Sequence, residues 1–497
     1  MKTSIEDGKA PVQAAAEINE SAERESNIEK NRSEYKNTYN QLKWIKPDET
    51  ERAEVLRSEL MKTLISCGAL LSHGDSKLDV RRLSPGCRAC GNGKWSCLFV
   101  NGICNMNCFY CPAEQNSEDV PQTNTVSFSD SRDYADYVER LGFEGVSMSG
   151  GEPLLTYEKT LRFVGSVRKR MGDRVYIWMY TNGTLATKER LSALHAEGVD
   201  EVRFDIGAIG YRLKPVILAA GIFDAVTVEI PAIPEDLKTL CELAGTLKNA
   251  GVGYLNLHQL RLTPYNFDAL QKRNYTFLHG PKVTVLESEL TALQVMHHIF
   301  EKKIDLPVNY CSFIYKNMYQ KAAARRRGAE MIKKPYEDLT RTGLIRNISV
   351  RGETEKLAAC VRVLDTLPSK KDLWAFGASR DRLYIHSSLM EHMDCAELSL
   401  LVRYDVTAIK QAISYRYVFK EVELNKRKRI YIERMPLGPE IELKKGEIEA
   451  FRQAFINEDP EGKDVSSARE DMKKGVWNTI FALQRFEIHK KGLADYY

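Results

Sequence analysis

Residues 104–111 read CNMNCFYC, and the cysteines Cys104, Cys108 and Cys111 lie just after the apolar run 97–100. Thiolates are soft ligands that suit both zinc and iron–sulfur clusters. A [4Fe–4S] cluster contains four irons, so three thiolates leave one iron open to a small molecule. The spacing predicts a metal centre with a free coordination position. A structural zinc knuckle and a group of buried free cysteines are the alternatives.

Residues 149–153 read SGGEP and form a second motif downstream of the cysteines. Glycine has no Cβ, so the backbone at Gly150 and Gly151 can approach a ligand closely. Glu152 adds a carboxylate, and Pro153 follows it. A surface turn that caps the next helix explains Glu152 nearly as well when this residue is considered by itself.

Together the two motifs resemble the radical S-adenosylmethionine (SAM) enzymes. In that family, a Cys-x3-Cys-x2-Cys loop with an aromatic residue before the last cysteine, here Tyr110, holds a [4Fe–4S] cluster. A glycine-rich turn holds the amino group of SAM. The resemblance implies that the open iron chelates SAM and that an electron from the cluster cleaves SAM to a 5′-deoxyadenosyl radical. It also implies a low-potential electron donor such as flavodoxin or ferredoxin.

The composition is that of an ordinary globular protein of two or more domains, with 497 residues, 43% of them hydrophobic and 28% charged. The 72 basic and 68 acidic residues are too evenly balanced to indicate nucleic acid binding from bulk charge. No apolar run has the length of a membrane span, and the first residues lack the apolar core of a signal peptide. We therefore expect a cytoplasmic protein, in which 11 cysteines indicate metal or redox chemistry rather than disulfides.

A second group of cysteines precedes the first. Cys87 and Cys90 form a Cys-x2-Cys pair in a glycine-rich loop, and Cys97 follows at the start of a predicted strand. A fourth ligand is needed, and Cys311 is the candidate because it lies just beyond the main domain. Many radical SAM enzymes carry an auxiliary cluster held by flanking cysteines, so the resemblance implies a second [4Fe–4S] cluster here. A zinc ribbon and free thiols stay open, and Cys311 has an alternative catalytic role as a thiol that donates hydrogen to a substrate radical.

Short apolar runs alternate with helical patterns between residues 96 and 304. This alternation implies a parallel sheet with crossover helices. Six units match the partial (β/α)6 TIM-like barrel of the radical SAM core, against eight in a full barrel. The predicted strands are Leu98–Asn101, Gly145–Met148, Val175–Tyr180, Glu201–Ile206, Ala225–Ile230 and Tyr254–Arg261.

The pattern changes beyond Gly343, which predicts an additional C-terminal α+β domain. Its predicted strands are 344–350, 382–386, 417–424 and 429–434, and its predicted helices are 354–366, 396–414 and 445–456. The predicted domains are a mobile N-terminal tail or loosely held helix (1–45), a helix with the Cys-rich loop (46–95), the radical SAM core (96–304), the Cys311 segment with a connecting helix (305–343), and the C-terminal α+β domain (344–497).

Polar residues at three more strand ends are candidates for binding SAM or the substrate. Thr181 and Asn182 resemble the family's Thr-Asn-Gly turn near SAM, whereas an ordinary Asn-Gly turn is the alternative. Asp205 and Glu229 end apolar strands, where either carboxylate could instead be paired with a buried cation. His258 could contact the adenosyl group or the substrate, although a lone histidine is more often a satisfied core residue.

A narrower resemblance points to an uncharacterised group of prokaryotic proteins related to pyruvate formate-lyase activating enzyme. It runs in patches from about Pro85 to Leu437 and includes the stretches GCRAC (86–90), LFVNGIC (98–104), CFYCP (108–112), YCS (310–312) and ERMPL (433–437). We expect a radical enzyme that abstracts hydrogen from a peptide or protein. RNA or a small metabolite is the alternative substrate, which the basic runs at 325–327 and 426–429 permit. A non-enzymatic zinc-binding protein is the third possibility.

Overall fold

The computed structural model describes residues 24–117, 120–393, 398–457, 476–489 and 492–493. The chain forms two compact units. The barrel unit consists mainly of Arg24–Lys321 and also includes Glu423–Ile430. The C-terminal unit consists mainly of Ala322–Val422 and Tyr431–His489.

One large sheet dominates the barrel unit. Within the described residues, seven of its strands lie side by side in chain order, and each is parallel to the next. They are β1 (Trp95–Ile103), β2 (Gly145–Gly150), β3 (Tyr176–Thr181), β4 (Glu201–Phe204), β5 (Ala225–Pro231), β6 (Tyr254–His258) and β7 (Val308–Cys311). The six predicted strands are therefore confirmed. The predicted six-unit barrel lacks β7, which adds a further parallel strand where the sequence indicated only a connecting segment.

Helices pack against this sheet through one apolar face each. In Tyr157–Met171, for example, Phe163, Val164 and Val167 are buried at helical spacing. No helix in the described part of the chain combines the length and apolar character needed to cross a membrane. The helices of the barrel unit are Pro47–Ser66, Pro85–Gly91, Ser131–Arg140, Tyr157–Met171, Lys188–Glu197, Lys214–Ala220, Leu237–Asn249, Phe267–Gln271 and Leu286–Glu301.

Short antiparallel strands extend the large sheet at both edges. Lys77–Leu78 pairs with β7 and with Leu71–Ser72, and Gln122–Thr123 pairs with β1 and with Val126–Ser127. The remaining short strands of the unit are Asn116–Ser117, Phe277–Leu278 and Thr284–Val285.

Of the predicted N-terminal tail or loosely held helix, the part from Arg24 onward is helical, and residues 1–23 lie outside the described part. Residues 24–35 are helical and continue into a 3₁₀-helix, Lys36–Gln41. Asn31 Nδ2 donates to Gly280 O at 3.1 Å, and Tyr35 OH donates to Leu262 O at 3.1 Å. These buried contacts attach the segment to the chain that follows β6.

The predicted glycine-rich loop around Cys87 is a helix, Pro85–Gly91. Ser84 caps it, since its Oγ accepts a hydrogen bond from Cys87 N at 3.1 Å, and Pro85 occupies the first helical turn. Ala89 lies next to Gly145, the first residue of β2. The helix therefore packs at the amino-terminal end of the parallel strands.

The C-terminal unit contains an antiparallel sheet covered by helices around its own apolar core. The predicted helix 396–414 is wrong: Ser399–Lys410 is a strand that pairs antiparallel with Ile345–Arg351, and Ala396 lies outside the described residues. The other predicted strands and helices are confirmed. The strands are Asp338–Leu339, Ile345–Arg351, Trp374–Phe376, Arg382–Ile385, Ser399–Lys410, Val418–Glu423, Arg429–Pro436 and Ile441–Leu443, and the helices are Lys321–Ile332, Thr354–Asp365, Lys445–Phe455 and Val476–Glu487.

Glu152 fastens the end of β2 to the end of β3. This fully buried carboxylate accepts hydrogen bonds from Leu154 N at 3.0 Å, Thr181 Oγ1 at 2.9 Å and Asn182 N at 2.7 Å. Burial raises the pKa of Glu152, and the three donors oppose that rise. The side chain thus organises two neighbouring strand ends.

We expect Glu152→Gln to lower the free energy of unfolding by about 1–3 kcal/mol, because the amide nitrogen cannot accept from a buried N–H. Urea unfolding measures this loss, and the exposed Glu158 provides the matched control Glu158→Gln. A variant of unchanged stability but weakened SAM binding would contradict this role and make Glu152 a SAM ligand.

Candidate active site at the carboxyl ends of the strands

A cavity of about 430 Å³ opens at the carboxyl ends of the parallel strands. Its volume is in the usual range of small-molecule sites, about 300–1,000 Å³. The sequence-predicted residues that line it are Cys104, Cys108, Tyr110, Cys111, Gly150, Gly151, Thr181, Asn182, Asp205, Glu229 and His258. The predicted residues that do not line it are Glu152, Pro153, Cys87, Cys90, Cys97 and Cys311.

The three thiols of the loop share the cavity wall. Burial raises the pKa of the Cys108 thiol to about 11, and repulsion from Asp205 adds to this rise. No three His, Cys, Asp or Glu side chains in the described residues converge closely enough to hold one metal ion. A [4Fe–4S] cluster does not require its thiolates to converge on one metal ion, because each thiolate binds its own iron. Three thiols on one wall of a roomy cavity fit this cluster.

Tyr110 ties the cysteine loop to the end of β4. Its hydroxyl lies 3.0 Å from both carboxylate oxygens of Asp205. Burial raises the pKa of Asp205 to about 6, while the hydrogen bond from Tyr110 opposes this rise. Asn266 Nδ2 also donates to Tyr110 O at 3.2 Å. The aromatic residue of the motif therefore fixes the cysteine loop to the end of β4 and to Asn266.

Asn182 holds the other end of the loop. Its Nδ2 donates to Asn105 Oδ1 at 2.9 Å and lies 3.8 Å from Cys104 Sγ. The glycine turn is packed just as closely: a Cβ at Gly151 would lie 1.9 Å from Ile103 O. Glycine is thus required where the turn crosses the end of β1, in addition to any contact with a ligand.

Glu229 belongs to a chain of charged and polar side chains on the cavity wall. Its carboxylate contacts Arg203 Nη1 at 2.8 Å, Asn256 Nδ2 at 2.9 Å and His258 Nε2 at 2.6 Å. Burial raises the pKa of Glu229, but His258 and Arg203 together hold it below its usual value. In the structure, therefore, Glu229 is paired with a buried cation, as the alternative interpretation of the sequence held.

His258 is doubly engaged. Its Nδ1 lies 2.6 Å from Lys316 Nζ, which can only donate, so Nδ1 accepts and Nε2–H donates to Glu229. Burial and the charge of Lys316 lower the pKa of His258, in keeping with a neutral ring. The imidazole therefore orients Lys316 into the cavity.

A second sulfur group surrounds Lys77. Cys87, Cys90 and Cys311 all influence the pKa of this fully buried lysine; burial lowers it, and the three sulfurs together raise it above its usual value. Each sulfur has a nitrogen donor: Asn256 Nδ2 lies 3.3 Å from Cys87, Gln320 Nε2 lies 2.8 Å from Cys90, and Lys77 Nζ lies 3.8 Å from Cys311.

Cys97 is not brought into this group. It lies on β1 beside β2, and burial raises the pKa of its thiol to about 11. The side chains that hydrogen-bond to it are Ser147 and Ser149, and the charges that influence it most are Glu229 and Arg203. The neighbours of Cys97 therefore differ from those of Cys87, Cys90 and Cys311, which all act on Lys77.

Sequence reasoning missed Lys77 and Lys316, and it considered Arg203 only as one possible buried cation paired with Asp205 or Glu229. Lys77 lies in a two-residue strand, and no pattern distinguishes it from a surface lysine. Lys316 follows Cys311 closely, so its place after a strand end was the available signal. Arg203 lies inside an apolar strand, where a charged residue indicates a buried ion pair.

Comparisons with known proteins agree with this site. Residues 98–217 match the Radical SAM superfamily. Over 297 residues the chain is 29% identical to the "Putative glycyl-radical enzyme activating enzyme MJ0021" of Methanocaldococcus jannaschii, covering 57% of this chain and 78% of that protein. It is 30% identical over 109 residues to the GTP 3′,8-cyclase of Corynebacterium glutamicum, covering 21% of this chain and 29% of that enzyme.

Among solved structures, SuiB of Streptococcus suis is similar with a TM-score of 0.33 and 12% identity, covering 47% of this chain and 56% of that chain. These values are too low to indicate a shared function. The superfamily match covers β1 to β4, and the similarity to the activating enzyme extends well beyond it. Residues 98–217 therefore form a radical SAM domain, and together with the similarity to the activating enzyme they indicate a radical SAM enzyme.

Proposed function

We propose that this enzyme abstracts hydrogen from a peptide or protein substrate in the cavity at the strand ends. One observation carries the proposal: the three thiols, the glycine turn and the polar ends of β3 to β6 line a single cavity. When bound, the [4Fe–4S] cluster and SAM supply a 5′-deoxyadenosyl radical. The reductant is a low-potential donor such as flavodoxin or ferredoxin, and the compartment is the cytoplasm.

The chain's own residues hold and orient these groups. Cys104, Cys108 and Cys111 bind the cluster, and Asn182 and Tyr110 fix the loop that carries them. The backbone at the glycine turn, with Thr181, Asp205, Glu229 and His258, forms the remaining polar surface for SAM and the substrate. Glu152 acts through the strand ends that it joins.

A second [4Fe–4S] cluster at Cys87, Cys90 and Cys311 is part of the proposal. Lys77 is completely buried, and burying an ammonium group without a counter-charge is costly. Its Nζ donates to the sulfur of Cys311 at 3.8 Å, and N–H donors to all three sulfurs favour anionic ligands. A ligand role for Cys311 agrees with its position outside the cavity wall, whereas a hydrogen-donating thiol would have to reach the substrate.

A protein substrate is favoured over RNA by two observations. The name of the Methanocaldococcus jannaschii relative describes the activation of a glycyl-radical enzyme, which is itself a protein. The basic runs, by contrast, are engaged within the fold. Arg325 donates to Thr342 O at 2.7 Å, and Arg427 lies 3.3 Å from Asp130.

Replacing Cys104, Cys108 and Cys111 together by Ala should remove about four irons per chain, the content of one cluster. Formation of 5′-deoxyadenosine from SAM and a reductant should then cease, because no cluster remains to bind SAM. Iron analysis after anaerobic reconstitution and chromatographic detection of 5′-deoxyadenosine measure both effects.

The double variant Cys67→Ala/Cys241→Ala is the matched control, because these cysteines belong to neither sulfur group. It should keep full iron and full SAM cleavage. Continued SAM cleavage in the triple variant would contradict the proposed function. One zinc per chain in place of iron would support the zinc-binding alternative.

In the triple-variant background, a further Cys90→Ala change should lower the remaining iron from about four per chain to near zero. Cys97→Ala in the same background should leave that iron in place, since the Cys97 thiol faces two serines. Iron loss in the Cys97 variant would restore the four-cysteine set. Full iron with abolished turnover in a Cys311→Ala protein would transfer Cys311 to the catalytic role.

A further inference from the structure

Two cationic side chains on the cavity wall form no salt bridge within the part of the chain that the structure describes. Arg261 follows β6 and Lys316 follows β7, and both line the cavity. The charge of Glu34 acts on Arg261 from beyond salt-bridge distance. By contrast, Arg203 in the same cavity contacts both Glu201 and Glu229 at 2.8 Å.

Lys316 is held in a defined direction. Its Nζ donates one hydrogen bond to His258 Nδ1 at 2.6 Å and lies 4.9 Å from the centre of the Phe313 ring. An ammonium group has three donors, so two protons stay available. The residue starts a single turn of π-helix, Lys316–Gln320, a local distortion that occurs frequently at functional sites.

Arg261 is also incompletely satisfied. Its Nε is buried and has no hydrogen-bond partner in the described residues. The nearby Gln259, which lines the same cavity and is almost fully buried, has an unpartnered Oε1. Unpaired buried polar atoms are costly, so several of them along one cavity wall indicate that the wall is completed by a ligand.

We propose that Arg261 and Lys316 form a subsite for an anionic group of the substrate, a carboxylate or a phosphate. A guanidinium group binds either group through two parallel hydrogen bonds, and an ammonium group adds a point charge. His258 and Glu229 are positioning residues that direct Lys316 toward this group. The inference rests on the proposed function, because it assigns the substrate to the same cavity.

The subsite can be tested on the anaerobically reconstituted full-length enzyme. Phenylglyoxal labels accessible arginines, and peptide mass spectrometry gives the labelling rate of Arg261, with the exposed Arg52 as internal reference. Glutarate probes a carboxylate and pyrophosphate a phosphate, each titrated with and without saturating SAM. We expect at least one anion to protect Arg261 and not Arg52, with the same apparent affinity in the presence of SAM.

Lys316→Met should weaken this protection by about tenfold, the effect of losing one charged hydrogen bond. The matched control Lys302→Met removes an exposed lysine that does not line the cavity and should leave protection unchanged. Protection by glutarate alone assigns a carboxylate, and protection by pyrophosphate alone assigns a phosphate.

Absence of protection by either anion would overturn the inference. So would displacement of the anion by SAM, because the two cations would then bind the carboxylate of SAM itself. Iron content and 5′-deoxyadenosine formation are measured on the same samples. Normal values without anion protection reject only the subsite, whereas absent iron or absent SAM cleavage rejects the proposed function.

Discussion

The interior of the barrel unit depends on the buried ion pairs of Arg203. This buried guanidinium contacts Glu201 and Glu229 at 2.8 Å and donates to Ser84 Oγ at 3.1 Å. Ser84 caps the helix that carries Cys87 and Cys90, and Glu229 orients His258. One side chain thus links the helix at the amino-terminal ends of the strands to the cavity at their carboxyl ends. Removing it would leave buried carboxylates unpaired, which is far more costly than losing the pair as a whole.

The same arginine determines which residue fits at position 86, beside the second cysteine group. A Cβ at Gly86 would lie 2.5 Å from Arg203 Nη2 and 3.1 Å from Glu201 Oε2. Only glycine lets the helix approach the charge pair closely enough for its cysteines to meet Cys311 on β7. The Ser-Pro-Gly-Cys stretch therefore encodes a cap, a helix start and a close approach in four consecutive residues.

How far the sequence predicts this structure depends on the kind of signal. The six strands of the core are apolar runs between helices, and their positions were predictable. The position of β7 was not predictable, because Asn309 and Cys311 interrupt its apolar pattern. Asn309 is buried, and its Nδ2 donates to Asn256 Oδ1 at 3.2 Å. The helix prediction over Ser399–Lys410 was wrong for another reason: an apolar run such as 400–402 fits a buried strand and a helix equally. The cysteine loop was found because its ligands are close in sequence, whereas Lys77 meets Cys311 only through strand pairing.

The two sulfur groups differ in what surrounds them, and this difference bears on their roles. The thiols of Cys104, Cys108 and Cys111 line an open cavity with room for a small molecule. Those of Cys87, Cys90 and Cys311 are closed in by nitrogen donors and by the aromatic ring of Tyr315, which also lies 4.4 Å from Lys77 Nζ. An open wall suits a centre that binds and transforms a ligand, whereas an enclosed group with a buried cation suits a centre whose charge changes without ligand exchange. The π-helical turn Lys316–Gln320 touches both groups, with Lys316 at the cavity and Gln320 at Cys90, so one short element of the fold connects the cavity wall to the second sulfur group.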